Sequence, residues 1–326
     1  MSKTIEDIIS KSKIDYIMIA CCTYKRPDSL ERLLKSLSEL SFPENIKTDI
    51  LIVDNDKEQS AKSIVEKYQK LISNTIHYTI EENLGLSNVR NKALRETLKL
   101  QASHMAFVDD DEVVDADWLL NHIEFYNTYP YIHISSAPTF ARFEKKYPNY
   151  ITKNNVFKTH STKAHGQLRE HCATGNVFFP MDIIEKHQIF FDSEHNLIGG
   201  EDGAFFLAIT EKGYNIGWNT KAINYEIIGD ARANIHWIIE RKFYNGYSGA
   251  LLAFENETRI SKKIIYIIGK IITILLDTIL ALASILLGPT CFLNCLGWAI
   301  INIGKLCAVI KSKPINYYQK RKEKAK

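Results

Sequence analysis

Short apolar runs alternate with stretches of helical period along the first third of the chain. Residues 16–22 are apolar throughout and close on Thr23-Tyr24-Lys25-Arg26-Pro27, a buried strand that runs into a loop. Asp28, with Glu31 three residues on, reads as a helix N-cap close to a capping box. Leu30, Leu33, Leu34, Leu37 and Leu40 follow at helical spacing. Residues 49–53 form a second apolar strand ending in Asp54-Asn55-Asp56, and a polar helix follows over residues 59–70. A third strand spans 76–80, Ser87 caps a helix through Leu98, and 104–108 is a fourth strand. Strands alternating with helices at this spacing predict βαβ units, hence an α/β fold with a mostly parallel, Rossmann-like central sheet flanked by helices.

The polar residues that matter sit where those strands end: Thr23 and Tyr24, Asp54, and Asp109 to Asp111. Open α/β sheets bind ligands at the carboxyl ends of their strands. Asp109-Asp110-Asp111-Glu112 places four carboxylates side by side, an arrangement that gains nothing unless positive charge is near. A hard divalent cation, Mg²⁺ or Mn²⁺, takes carboxylate oxygens together with substrate phosphates. The bland alternative is a solvated acidic turn. A second acidic group, Gly199-Gly200-Glu201-Asp202, opens a predicted helix further on. One carboxylate cluster to hold a metal and another to move a proton describe group transfer from a phosphate leaving group. There is no G-x-G-x-x-G after the first strand and no Walker A sequence, so dinucleotide-dehydrogenase and P-loop readings lose their main support.

Charge changes the picture only at the C-terminus. Residues 256–326 hold twelve Lys and Arg against three acidic residues, so +9 of charge lies there and the rest of the +3 chain is acidic. No nucleic acid partner is expected for the acidic part. Residues 264–287 and 290–310 are each long and apolar enough to cross a bilayer, with Gly288-Pro289 as a turn between them. Basic residues flank both ends, which predicts a helical hairpin with both ends cytoplasmic. Lys270 and Asp277, on one helix face with Ser284, leave open two other modes, a pair of interfacial helices or a protein–protein packing surface. The expected division is therefore a domain over 14–255 and a membrane-associated hairpin with basic tail over 256–326. The six cysteines lack metal-site spacing and read as reduced thiols. The first 13 residues have no apolar signal region, so the catalytic part is expected at the cytoplasmic face of the cell membrane.

Taken in order, Thr23-Tyr24-Lys25-Arg26-Pro27, Val53-Asp54-Asn55, Gly85-Leu86-Ser87-x-x-Arg90-Asn91, Asp109-Asp110-Asp111, Gly175-Asn176 and Gly199-Gly200-Glu201-Asp202 resemble the motif series of family 2 glycosyltransferases. The resemblance covers about residues 14–250. It implies a GT-A fold and transfer of a sugar from a nucleotide-diphosphate donor, a UDP-sugar in the first instance, with inversion. Among members, the chain is similar to bacterial enzymes of exopolysaccharide and lipopolysaccharide synthesis, with a glycan or polyprenyl-linked glycan as acceptor. Carried over by position, Thr23 and Tyr24 would line the nucleobase pocket, Asp54 would bond the uracil edge and Arg90 would lie near the nucleotide. Asp109 would serve ribose and metal, and Asp111 the metal directly. Gly175, Asn176, Gly200 and Glu201 would face sugar or acceptor, and Asp202 would be the general base. Asp110 in the middle of the metal motif leaves the ligand register open by one. The Gln-x-x-Arg-Trp sequence of processive members has no counterpart at His236–Arg241, which implies one sugar per encounter.

Plainer roles compete with several of these residues. Asp54 could be a strand-end turn residue, Arg90 a surface helix residue and Gly175-Asn176 a turn. His171, His187 and His195 read as ordinary polar histidines, while His236 and Arg241 are minor candidates for metal or pyrophosphate contacts. The rival functions are a metal-dependent nucleotidyl transferase or phosphohydrolase, and a membrane-anchored scaffold that binds sugar nucleotides without turnover.

Overall fold

The computed structural model describes residues 11–158, 163–193, 200–254 and 258–310. It begins with β1 (Tyr16–Thr23), α1 (Pro27–Ser38), β2 (Lys47–Asp54), α2 (Lys62–Tyr68), β3 (Ile76–Ile80), α3 (Leu86–Lys99) and β4 (His104–Val108). β1 to β4 are mutually parallel where they pair, in register Ile19↔Ile50 and Ile19↔Ala106. Alternation along the strands divides two cores. Ile17, Ile19, Ile50 and Ile52 pack with Leu30, Leu33, Leu34 and Leu37 of α1, whereas Met18, Ala20, Leu51 and Val53 pack with Val89, Ala93 and Leu94 of α3. Burial on both faces is why these strands read as continuous apolar runs.

Further on come β5 (Glu112–Val114), α4 (Trp118–Thr128), β6 (Ile134–Ser136), β7 (Thr139–Phe143), α5 (Asn149–Thr152), β8 (Leu168–Arg169), β9 (Asn176–Pro180), α6 (Asp182–His187), α7 (Glu201–Thr210), β10 (Ile216–Trp218) and β11 (Asn224–Ile228). The main sheet has the order β3-β2-β1-β4-β9-β6-β10-β8, and β5-β11-β7 form a second, three-stranded sheet. β9 runs antiparallel to both β4 and β6, so the sheet is mixed beyond its four parallel strands.

Two predicted helix starts differ in detail. α1 begins at Pro27, whose fixed φ suits the first helical position, so Asp28 lies in the first turn and Arg26 occupies the cap position without a side-chain bond to the helix end. α3 is entered through Gly85 at φ 150°, a conformation open to glycine, and Ser87 Oγ instead donates to the Asp192 carbonyl at 2.6 Å. Asn55 fixes that entry. Its Oδ1 accepts from Gly85 N at 2.9 Å, and its Nδ2 donates to the carbonyls of Glu81 and Asn83.

The chain divides into two compact units. The first comprises the described parts of Met1–Phe140, Thr159–Asn196 and Glu201–Glu226, and holds the main sheet. The second draws on Ala141–Lys158, Leu197–Gly200 and Ile227–Lys326. It contains α8 (Ile235–Phe254), α9 (Ile260–Ala283) and α10 (Pro289–Ile310), with a 3₁₀ turn over Ser284–Leu287 and Gly288 at φ 97°. α8 and α10 touch backbone to backbone: a Cβ at Gly246 would collide with the Ile301 carbonyl, and one at Gly304 with that of Phe243. Past the first turn of α9, its two charges meet one partner on α10, because Lys270 Nζ donates to Asn302 Oδ1 at 3.3 Å and Asn302 Nδ2 to Asp277 Oδ2 at 2.8 Å.

Candidate active site

The strand order turns back on itself between β1 and β4, the place where a doubly wound sheet leaves room for a ligand. The loops that leave these neighbouring strands are joined by charge. Thr23 Oγ1 donates to Asp110 Oδ2 at 2.8 Å, and Arg26 Nη1 donates to Asp110 Oδ1 at 3.0 Å and Asp111 Oδ2 at 2.8 Å. Asp110 is buried, and its carboxyl is raised by that burial and by Asp111, against the pull of Arg26 and the Thr23 hydroxyl.

Asp109 is different. Its side chain is 48% exposed, yet dense surroundings and the negative charges of Asp111, Asp202 and Asp110 lift its carboxyl to about 7, despite the opposing pull of Arg90. Its backbone N–H donates to Glu112 Oε2 at 3.1 Å. Glu112 is buried and also accepts from Asn224 Nδ2 at 2.7 Å and Thr139 Oγ1 at 3.3 Å. Burial first, then Asp109 and Asp111, raise its carboxyl well above the usual range. Gly175 closes over the pair. A Cβ there would stand 2.8 Å from Glu112 Oε1 and 3.0 Å from Asp109 Oδ2, so any larger residue would have to displace those carboxylates.

The second acidic group opens α7. Arg90, buried on α3, donates through Nη1 to Glu201 Oε1 at 2.6 Å and to Asp202 Oδ1, while Nη2 lies 3.9 Å from Asp109 Oδ1. Asp202 also accepts from Thr174 through its backbone N–H at 3.3 Å and its hydroxyl at 3.2 Å. One guanidinium therefore spans both carboxylate clusters. Glu201 is more deeply buried than Asp202, its Oε2 meets no hydrogen-bond partner, and its carboxyl is raised by burial and by Asp202. Gly200 enters α7 at φ 93°, and Gly199 lies outside the described residues.

Other expected site residues sit as follows. Asp54 is fully buried, and its carboxylate accepts from the backbone N–H of Asp56 at 2.9 Å and of Ala61 at 3.0 Å and from Tyr78 Oη at 2.9 Å, so it shapes the loop after β2. Asn176 is buried with all its hydrogen-bonding capacity used. Its Oδ1 accepts from Trp118 Nε1 at 2.8 Å and His122 Nε2 at 3.0 Å, and its Nδ2 donates to the carbonyls of Pro138 and Ala222. It ties α4, β7's approach and the loop before β11 together. Thr23 is buried against Asp110, and Tyr24 is half-buried beside it. His187 bonds Tyr214, His236 and Arg241 are exposed on α8, and His195 lies outside the described residues. Sequence reasoning counted Glu112 only as one carboxylate of the acidic run and assigned no role to Arg26, Thr174 or Asn224, all of which bond to the acidic residues here. Arg26 and Glu112 lie inside the quoted motifs, and Thr174 directly precedes Gly175. Nothing local singles out Asn224.

Among the described residues no three His, Cys, Asp or Glu side chains are grouped to cage a metal ion. An ion held by one or two carboxylates and completed by a ligand's phosphates needs no such cage. Asp109 and Asp111 suit it: both are hard oxygen donors, and the crowding that lifts Asp109 is relieved by a cation.

Comparison with known proteins gives one answer. The description Glycosyl transferase family 2 matches residues 18–188, just over half the chain. The succinoglycan biosynthesis protein ExoM of Rhizobium meliloti is 29% identical over 73% of this chain and 75% of its own. The putative teichuronic acid biosynthesis glycosyltransferase TuaG of Bacillus subtilis is 23% identical over 69% of this chain and 84% of its own. In fold, the mannosyltransferase PcManGT of Pyrobaculum calidifontis, solved with GDP-Man and Mn²⁺, superposes with a TM-score of 0.56 at 15% identity, over 95% of this chain and 79% of that one. The match begins within β1 and runs through the acidic motif that follows β4 to the end of α6, so the chain belongs to glycosyl transferase family 2 and is a glycosyltransferase.

Proposed function

We propose that this enzyme moves one sugar per encounter, with inversion, from a nucleotide-diphosphate donor to a hydroxyl of a glycan or polyprenyl-linked glycan during cell-surface polysaccharide synthesis. The observation that carries the reading is Arg90, which ties Asp202 to the metal-motif residue Asp109. The succinoglycan and teichuronic acid names of the relatives support the acceptor class. The donor rests against the loop after β1, with Thr23 and Tyr24 nearest the base and Asp54 acting through the loop it shapes. Asp202 takes the proton of the acceptor hydroxyl as that oxygen bonds the anomeric carbon. The bond from that carbon to the diphosphate oxygen breaks, and the nucleoside diphosphate departs. Arg90 and Thr174 hold Asp202 in one orientation, so no reorganisation is needed as the proton moves. Asp109 and Asp111 would hold Mg²⁺ or Mn²⁺, which supplies charge neutralisation at the departing diphosphate. The exposed Ile and Leu of α9 support attachment to the membrane, with the catalytic unit at its cytoplasmic face.

The test is Asp202→Asn, assayed with a panel of UDP- and GDP-sugars in Mn²⁺. Turnover should fall about 10²–10⁴-fold, while nucleotide binding, read by thermal stabilisation, stays near wild type. Normal turnover in this variant would remove Asp202 as the base. Failure of every nucleotide to stabilise the wild type would remove the donor assignment.

A further inference from the structure

We infer that α9 and α10 do not cross the bilayer but lie in one leaflet, with the Gly288 turn on the same side as the polar segment 149–157. This rests on the membrane reading above and goes beyond it by fixing the mode. All the evidence lies within the second unit.

In a spanning hairpin the turn is the deepest or most distant point, and the helix next to it must be sheathed in hydrocarbon about 30 Å thick. The structure sets polar protein against one side of it instead. Asn294, in the second turn of α10, accepts at Oδ1 from Asn155 N at 2.9 Å, and Asn155 belongs to the 3₁₀ turn Asn155–Phe157 after α5. One turn further on, Gly297 lies against the Lys242 side chain, whose Nζ donates to Asn155 Oδ1. Lys242 is an ammonium only 2% exposed, held down to about 8 by its burial, and it cannot follow α10 into hydrocarbon. Gly304 and the Ile301 carbonyl then meet the backbone of α8. From Asn294 to Gly304, about 15 Å of helix axis, one side of α10 is therefore covered by protein carrying amides and a charge. Trp298 is half-exposed near the middle of α10, where a spanning helix would carry it toward the bilayer centre and an in-plane helix would keep it at the interface that tryptophan favours.

What remains for lipid is the outer face of α9 and of the 3₁₀ turn Ser284–Leu287 that follows it. Ile265, Ile272, Ile279 and Leu286 recur every seven residues and are exposed by 70%, 54%, 63% and 94%. Lys270 and Asp277 turn to Asn302 instead. An apolar stripe preceded by Arg259, Lys262 and Lys263, and followed in sequence by seven Lys and Arg within 311–326, fits a bilayer with anionic headgroups.

The experiment uses the full chain on vesicles of phosphatidylethanolamine and phosphatidylglycerol. An environment-sensitive fluorophore is placed on single cysteines at Ile265, Ile272, Ile279 or Leu286 and quenched by lipids brominated at defined depths. An in-plane helix gives one depth at all four positions. Greater depth at Ile272 and Ile279 than at Ile265 and Leu286 means a spanning helix and overturns the inference. A chain that fails to float with vesicles loses the membrane reading beneath it. Four probes shielded by a second copy, with a lipid-free dimer in solution, would also overturn it. Replacing Arg259, Lys262 and Lys263 by Gln should weaken vesicle binding about fivefold per charge, and undiminished binding would remove the anionic-headgroup part.

Discussion

Arg90 Nη1 lies 2.6 Å from Glu201 Oε1, both groups buried, in a pairing that links the first third of the chain to a residue 111 positions later. The same nitrogen serves Asp202, so removing the guanidinium strands two carboxylates at once. Arg90→Met should cost about 3–5 kcal/mol of stability, measured by chemical denaturation, and should abolish transfer. Glu201→Gln keeps the shape and loses one buried charge. Its turnover should fall far less than that of Asp202→Asn, because Glu201 is walled in by Arg90 and protein while Asp202 retains accessible surface.

Gly175→Ala introduces a methyl against Glu112 and Asp109 where the gap is already below contact distance. Overpacking of this kind costs about 1–3 kcal/mol. Because the displaced group is the metal motif, activity should fall more than stability. A denaturation curve beside a rate assay separates the two.

Arg26 is a resident cation on Asp110 and Asp111. Arg26→Gln should tighten Mn²⁺ binding to the nucleotide-free enzyme in calorimetry, since the ion no longer competes with a guanidinium. Weaker binding would mean that Arg26 acts chiefly by holding the loop.

His104 stacks on Phe178 with ring centroids 5.1 Å apart, its Nε2 has no hydrogen-bond partner, and burial lowers its pKa from 6.5 to about 3. Between those values the unfolded chain carries a proton that the folded one refuses, so stability falls as pH falls through this window. His122, lowered to about 4 by burial, acts in the same sense. His104→Phe should reduce the slope of stability against pH by up to about 1.4 kcal/mol per pH unit between 6.5 and 3, with little change at pH 8. An unaltered acid slope would mean that His104 is protonated in the fold.

β1, β2 and β4 were legible because each is a nearly continuous apolar run that ends in a polar cluster, and β3 because its apolar positions alternate with His77 and Thr79, signals that need no knowledge of neighbours. β9 was not. Asn176–Pro180 is a short run whose direction is set by β4 and β6, dozens of residues away in sequence. The acidic motifs stood out for the same local reason, since adjacent carboxylates are conspicuous. Their counter-charges come from 84 positions away for Arg26 and Asp110, and 112 for Arg90 and Asp202, and no local pattern announces such a partner. Asn176 misled in the opposite way. Gly175-Asn176 was read as facing sugar or acceptor, yet the asparagine side chain is spent on Trp118, His122 and two carbonyls, and it is the glycine that lies against Asp109 and Glu112 of the acidic motif.

The second unit is assembled from three stretches of chain, and this orders events during synthesis. Phe143, Tyr147 and Phe157 emerge from the ribosome long before Trp237, on which Phe157 stacks at 5.5 Å, and before α10, to which Asn155 is bonded. Until those later segments arrive, an early apolar patch waits without its partners, a condition that favours misassembly or holding by a chaperone. A chain stalled before α8 should therefore aggregate through residues 141–158, whereas one released after α10 should not. Maturation of this enzyme is then paced by its last hundred residues, which bring α8, α9 and α10 to the early segment.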